Sequence, residues 1–391
     1  MTPREAMRTQ ESEETITNLG KKFGSITKLS LRNVVRRPKR ILALLAVLFF
    51  VVGTSGSLLV MSDSMTSYAD TWSGKQEWDI QVAFSTPLSG SEMDQFLENR
   101  YGSRIEDFEP YYLGYAQASS REIKVLGLKE DSEMNGFLKA SGALSYDSGA
   151  CLITRKLSND LDKKINDTIT LSVESPDKTA EFVIAGVVDD LREDTVFLSL
   201  KEARELFSAG EKSTGTYLKI DGPLGEVEES LYSEKSVSHM TSSNDFKNAI
   251  DGIVGQSKGL FYMFSLAMLS VLVVAMITVG LINVKERQSE YALLETLGYK
   301  KRTSYKTIFL EVGVIGILSI LIGLPIGYGL ALVWRGIFSE FLIYFPIAVN
   351  LSTFGIVAFF SIVFFLLSAL IPVRVIQKSK LVEILRSRII G

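Results

Sequence analysis

Four runs of the chain are almost uniformly apolar. Ile41–Met61 holds 21 residues without a charge, Leu260–Val284 holds 25 and Ser352–Val373 holds 22, while Ile308–Trp334 holds 27 with Glu311 near its start. A bilayer core is crossed by about 20 apolar residues in a helix, so each run is long enough to span it. Buried helices of a soluble core are rarely so long or so evenly apolar. The pattern predicts four transmembrane helices.

The stretch between the first two runs reads differently. Trp78–Phe84 alternates with period two, and Ile123–Leu128, Thr168–Val173, Glu181–Val188, Val196–Leu200 and Thr216–Ile220 read as further strands. Ser91, with Asp94 three residues on, marks a helix start. Short helices fit Lys156–Leu161, Lys201–Phe207 and Leu224–Tyr232, and Ser175-Pro176-Asp177-Lys178 makes a hairpin turn. Ser243–Lys258 reads as a helix running straight into the second span. The fold class predicted is an α-helical membrane protein with four transmembrane helices and a large α+β extracytoplasmic domain between helices 1 and 2.

Charge orients this arrangement. Lys28, Arg32, Arg36, Arg37, Lys39 and Arg40 precede the first span; Lys285, Arg287, Lys300, Lys301, Arg302 and Lys306 separate the second from the third; Arg374, Lys378, Lys380, Arg386 and Arg388 follow the fourth. The loop between spans three and four has Arg335 alone. Basic residues stay on the cytoplasmic side, so both termini and the 285–307 segment are expected there. The expected order is a cytoplasmic, poorly ordered N-terminus at 1–24 and an amphipathic interfacial helix or plain basic cluster at 25–40. The first span at 41–61, an extracytoplasmic domain at 62–258 and the second span at 259–284 come next. The cytoplasmic segment at 285–307, third span at 308–334, external loop at 335–351, fourth span at 352–373 and cytoplasmic tail at 374–391 complete it. No small-residue cleavage pattern follows the first run, which reads as an uncleaved anchor. Pro325 is expected to kink the third span.

The residue inventory excludes several chemistries. A single cysteine, Cys151, and a single histidine, His239, leave neither an internal disulfide nor a His/Cys zinc site, and His239 reads as an exposed loop residue. No phosphate-binding G-x-x-x-x-G-K-[ST] loop is present, nor a G-x-S-x-G or H-E-x-x-H motif, so no catalytic residue is assigned. Asp189 and Asp190 read as solvated carboxylates at a strand end before a turn. Glu311, near the cytoplasmic boundary, is placed to pair with Lys306 or to meet a partner helix. Ser319, Gly323, Gly327 and Ala331 recur every four residues, making a face on which another helix backbone packs closely. That helix belongs either to a partner subunit, which a thin four-helix bundle favours, or to this chain.

Between spans two and three lies NVKERQSEYALLETLGYKKR, residues 283–302. Val284–Leu297 can continue as a helix with Tyr291, Leu294 and Gly298 on one side and Leu293 and Leu297 beside them. Gly298 is placed to cap it, ahead of cations that suit a helix C-terminus. A short helix apolar on one side is suited to insert into a partner; a solvated loop is the alternative. This segment, the glycine-rich IFLEVGVIGILSILIGLPIGYGLA and the KSKLVEILR ending resemble the FtsX/MacB-like permeases of ABC transporters. CLITRKLSNDLDKKINDTITL, FVIAGVV and VFLSLKEARELF resemble that group's extracytoplasmic core. Lys stands where Pro is commoner near the ending.

The resemblance implies a noncatalytic transmembrane subunit that works as a dimer with a separate cytoplasmic ABC ATPase. ATP and Mg would sit on that ATPase, and this chain would bind no cofactor, metal or nucleic acid. It also implies that Glu286, Arg287, Glu290, Leu294, Leu297 and Gly298 form the ATPase-coupling helix. The expected work is export or release of an amphiphilic substrate such as a lipid, lipoprotein, hydrophobic drug or peptide. The alternative is activation of an external enzyme such as a cell-wall hydrolase. Thr2–Arg8 (TPREAMR) resembles a family C-terminus, which points to a split half of a duplicated permease paired with a different permease chain; chance similarity is the other reading.

Overall fold

The computed structural model describes residues 38–192, 194–286, 288, 301–341 and 344–378. Contacts divide the chain into a helical unit (Met1–Asp63, Lys258–Trp334 and Val349–Gly391) and a globular unit (Ser64–Ser257 and Arg335–Ala348).

Four helices are long and apolar enough to cross a membrane. Helix α1 is Pro38–Ser73. Helix α6 runs Ser243–Glu286 as one 44-residue element, α7 runs Lys301–Phe341 with Pro325 inside it, and α8 runs Leu351–Lys378. All four outrun the apolar stretches that announce them, because polar turns at their ends continue the helix. Within the helical unit they bury a shared core that includes Leu48, Val52, Leu272, Met276, Ile315, Val357, Phe365 and Ala369.

The globular unit is built on a ten-stranded sheet. Its first part is a β-α-β-β-α-β motif. Strand β1 (Ile80–Ser89), helix α2 (Gly90–Tyr101) and strand β2 (Ile105–Ala118) form one half; β9 (Lys212–Ile220), α5 (Leu224–Tyr232) and β10 (Val237–Ser242) form the other. The antiparallel order β10-β1-β9-β2 is the ferredoxin-like arrangement, and α2 and α5 cover it with Met93, Leu97, Val227 and Leu231. Ser89, not Ser91, caps α2: its side chain accepts from the Glu92 amide while Glu92 reaches back to the Ser89 amide.

The second part is inserted between β2 and β9. It holds β3 (Arg121–Leu128), β4 (Leu138–Gly142), β5 (Ala150–Thr154), α3 (Arg155–Asp160), β6 (Thr168–Val173), β7 (Lys178–Asp189), β8 (Thr195–Ser199) and α4 (Leu200–Leu206). Strand β2 belongs to both parts: Ile105–Tyr111 pairs with β9 and Tyr112–Ala118 with β3. A second core of Val125, Ile153, Leu171, Ile184 and Leu198 sits here, with Cys151 wholly buried in it. His239 is exposed, as expected, but it lies on strand β10 and not in a loop.

Candidate functional site

Small residues set how closely the long helices approach. A Cβ added at Gly327 would lie 2.7 Å from the Gly53 carbonyl oxygen, and one at Gly323 would lie 2.9 Å from the Phe49 carbonyl oxygen. Ser319 and Ala331 of the same stripe are fully buried, and the Ser319 hydroxyl donates to the Ile315 carbonyl at 2.7 Å. The helix that meets Gly323 and Gly327 is therefore α1 of this chain, where a partner subunit had been the favoured occupant. Gly53 on α1 reciprocates, since a Cβ there would lie 3.0 Å from the Gly323 carbonyl oxygen. This mutual backbone approach gains packing contacts that larger side chains would prevent.

Polar side chains join further helices at α1. The Ser55 and Ser265 hydroxyls lie 2.6 Å apart, linking α1 to α6, and the Thr353 hydroxyl bonds the Asp63 carboxylate, linking α8 to α1. Glu311 is buried on α7, while Lys306 is exposed. Of the segment expected to couple to an ATPase, Glu286 is the last residue of α6. Arg287, Glu290, Leu294, Leu297 and Gly298 lie outside the described residues.

The globular unit holds a polar network that the sequence reading placed in solvent. Asp189 ends β7 and Asp190 follows it, but they are only 7% and 6% exposed. Arg155 grips Asp189 through Nε and Nη2 at 2.7 and 2.8 Å. Arg192 grips Asp190 through Nε and Nη2, both at 2.8 Å, and its own amide also donates to that carboxylate at 2.8 Å. The Arg192 guanidinium is further enclosed by the rings of Phe197, Trp72 and Phe137, with centroids 5.1, 5.5 and 6.0 Å away. Burial raises the Asp189 carboxyl above the ordinary range, and Arg155 only partly opposes it. Burial works against the charge on Arg192, but Asp190 outweighs it, and the guanidinium is held firmly protonated.

Arg155 also anchors the 335–348 segment. Its Nη1 donates to the Tyr344 hydroxyl at 3.1 Å and its guanidinium lies 4.8 Å from that ring, with Arg335 5.5 Å from the ring as well. The sequence carried one usable signal for this network. An Asp-x-Arg spacing across a strand end, as in Asp190-Leu191-Arg192, lets the carboxylate take both the amide and the guanidinium two residues on. Cys151 is not a reactive group, since burial, aided by Glu202, pushes its thiol up to about 12. Among the described residues no three His, Cys, Asp or Glu side chains group to hold a metal ion.

Comparison with known proteins adds a family. No curated protein matches the chain. The chain is similar to the periplasmic region of MacB from Actinobacillus actinomycetemcomitans, at 14% identity and a TM-score of 0.32, over 45% of this chain and 94% of that one. It is also similar to the extracellular domain of the noncanonic ABC-type transporter YknZ from Gram-positive bacteria, at 9% identity and a TM-score of 0.29, over 41% of this chain and 99% of that one. Residues 262–381, which hold most of α6 and all of α7 and α8, match the FtsX-like permease C-terminal family. Through that region the chain is similar to FtsX-like permeases.

Proposed function

We propose that this chain is the membrane-spanning subunit of an ABC transporter, driven by a separate cytoplasmic ATPase. The observation that carries the reading is the family match over 262–381, a region that includes the segment between α6 and α7. Large apolar side chains on the outside of the helices, among them Leu266, Val274, Leu321 and Phe359, are costly in water and suited to lipid. With the basic clusters kept inside, the globular unit faces the extracytoplasmic side and residues 285–307 face the cytoplasm. There Glu286, Arg287, Glu290, Leu294, Leu297 and Gly298 dock on the ATPase, which binds ATP and Mg. The chain itself performs no hydrolysis. A second permease chain, related but different, completes the assembly, and the work done is export or release of an amphiphilic substrate.

Copurification in mild detergent with ATPases encoded nearby tests this. Wild type is expected to retain an ATPase that Leu294→Asp and Glu290→Lys both lose. Retention by neither wild type nor variants would overturn the reading and leave an anchored external binding module.

A further inference from the structure

Helix α8 seats two side chains on glycines of α6 and α7, the helices that flank the proposed coupling segment. Phe365 meets α7, where a Cβ added at Gly316 would lie 2.8 Å from its ring. Pro372 meets α6, where a Cβ added at Gly280 would lie 2.5 Å from its Cγ. The two are about two turns apart and so share a face of α8. Both are buried, and Phe365 and the neighbouring Val373 join Met276 and Val284 of α6 and Val312 of α7 in one core. At its other end α8 is tied to α1 through Thr353 and Asp63.

The two contacts differ in stiffness. Phe365 can yield by turning about its side-chain bonds. The Pro372 ring is closed on the main chain, so it cannot move unless the α8 backbone moves with it. Their distances from the coupling segment differ as well. Gly280 lies about two turns from Glu286, the last residue of α6, whereas Gly316 lies about four turns from Lys301, the first of α7. A shift of α6 beside the coupling segment therefore meets α8 at Pro372, with no side-chain freedom on either side to absorb it.

We infer that Pro372, seated on Gly280, passes displacement of the coupling segment from α6 to α8. Both are positioning residues, acting through their contact with each other. The inference rests on the ATPase reading above and adds to it a route by which docking reaches the fourth span.

The test measures ATP hydrolysis and ATPase retention in liposomes holding equal amounts of folded permease. Wild type is compared with Gly280→Ala, which crowds the seat, and Pro372→Ala, which empties it. In the double variant Gly280→Ala/Pro372→Ala the two Cβ atoms, each fixed to its main chain, would meet at 3.4 Å. Both single variants should retain the ATPase as wild type does, while its stimulation falls at least about threefold. The double variant should recover most of the stimulation. Gly313→Ala, with nothing within 4 Å of its added Cβ, should match wild type. Pro372→Ala adds no atoms, so it reads the contact even if Gly280→Ala fails to fold. Full stimulation by Pro372→Ala, or a double variant no better than the single ones, would overturn the inference and leave the ATPase reading standing. Loss of the ATPase itself from the single variants would overturn it too, since the seat would then serve docking. A wild type that captures no ATPase would overturn both.

Discussion

Replacing Asp190 with asparagine keeps the volume of the side chain and removes its charge, leaving Arg192 enclosed by Trp72, Phe137 and Phe197. In the wild type Asp190 has no exposed side-chain surface and Arg192 has 22%. Three hydrogen bonds join them, and the guanidinium's contacts with Asn135, at 3.3 Å, and with Tyr217 bring no carboxylate to replace Asp190. Breaking a buried pair costs about 3–5 kcal/mol, chiefly because the surviving charge is stranded. Taking about 3 kcal/mol for a substitution that preserves hydrogen bonding, and about 2–4 °C per kcal/mol for a unit of this size, Asp190→Asn should lower the unfolding midpoint by about 6–12 °C. The assay is thermal unfolding of the detergent-purified chain carrying Trp334→Phe, so that fluorescence comes from Trp72 and Trp78, both buried in the globular unit. Replacing both partners, as Asp190→Leu/Arg192→Met, should recover most of the loss, since an apolar pair strands no charge. What stays lost is about 1 kcal/mol for the Arg192 amide that Asp190 also satisfies. A drop below about 3 °C for Asp190→Asn, or a double variant as unstable as the single one, would refute the argument.

Other consequences are as direct. Gly327→Leu should weaken the α1–α7 packing by about 1–3 kcal/mol in a detergent melt, whereas Gly329→Leu, with nothing within 4 Å of its added Cβ, should leave the midpoint unchanged. Tyr344→Ala removes a hydrogen bond and two cation–ring contacts, so amides of 344–348 should exchange faster while those of β9 do not. Cys151, with a thiol pushed up to about 12, should resist maleimide at pH 8 in the folded chain and label fully once unfolded.

How far the sequence could be read depended on how cleanly each strand alternates. Thr168–Val173 and Leu224–Tyr232 match the observed elements residue for residue, β3, β7 and β9 were found with ends short by a few residues, and β8 was read one residue late. Strand β2 was missed because its outward positions carry Glu106 and Asp107 and because Pro110 argues against a strand. The structure shows why Pro110 is tolerated. By the alternation of β2 its nitrogen faces away from β9, and β3 pairing begins only at Tyr112, so no ladder bond is lost. Strand β10 hid in the polar run VSHMTS, and β5 was too short to show a period.

The site was less legible than the fold. A four-residue repeat of small side chains says that a helix packs there, but not whose helix, and Gly53 on α1 sits in a run without such a repeat. Asp189 looks solvated in one dimension because its partner Arg155 lies 34 residues away, and Asp190 because the rings that enclose its partner Arg192 come from Trp72, Phe137 and Phe197.

Reconstitution into liposomes with the captured ATPase bears most directly on the central claim. Hydrolysis by the ATPase should rise several-fold when wild-type permease is present and stay at its basal rate with Leu294→Asp, at equal amounts of folded permease. Equal rates with wild type, Leu294→Asp and empty liposomes would contradict the account.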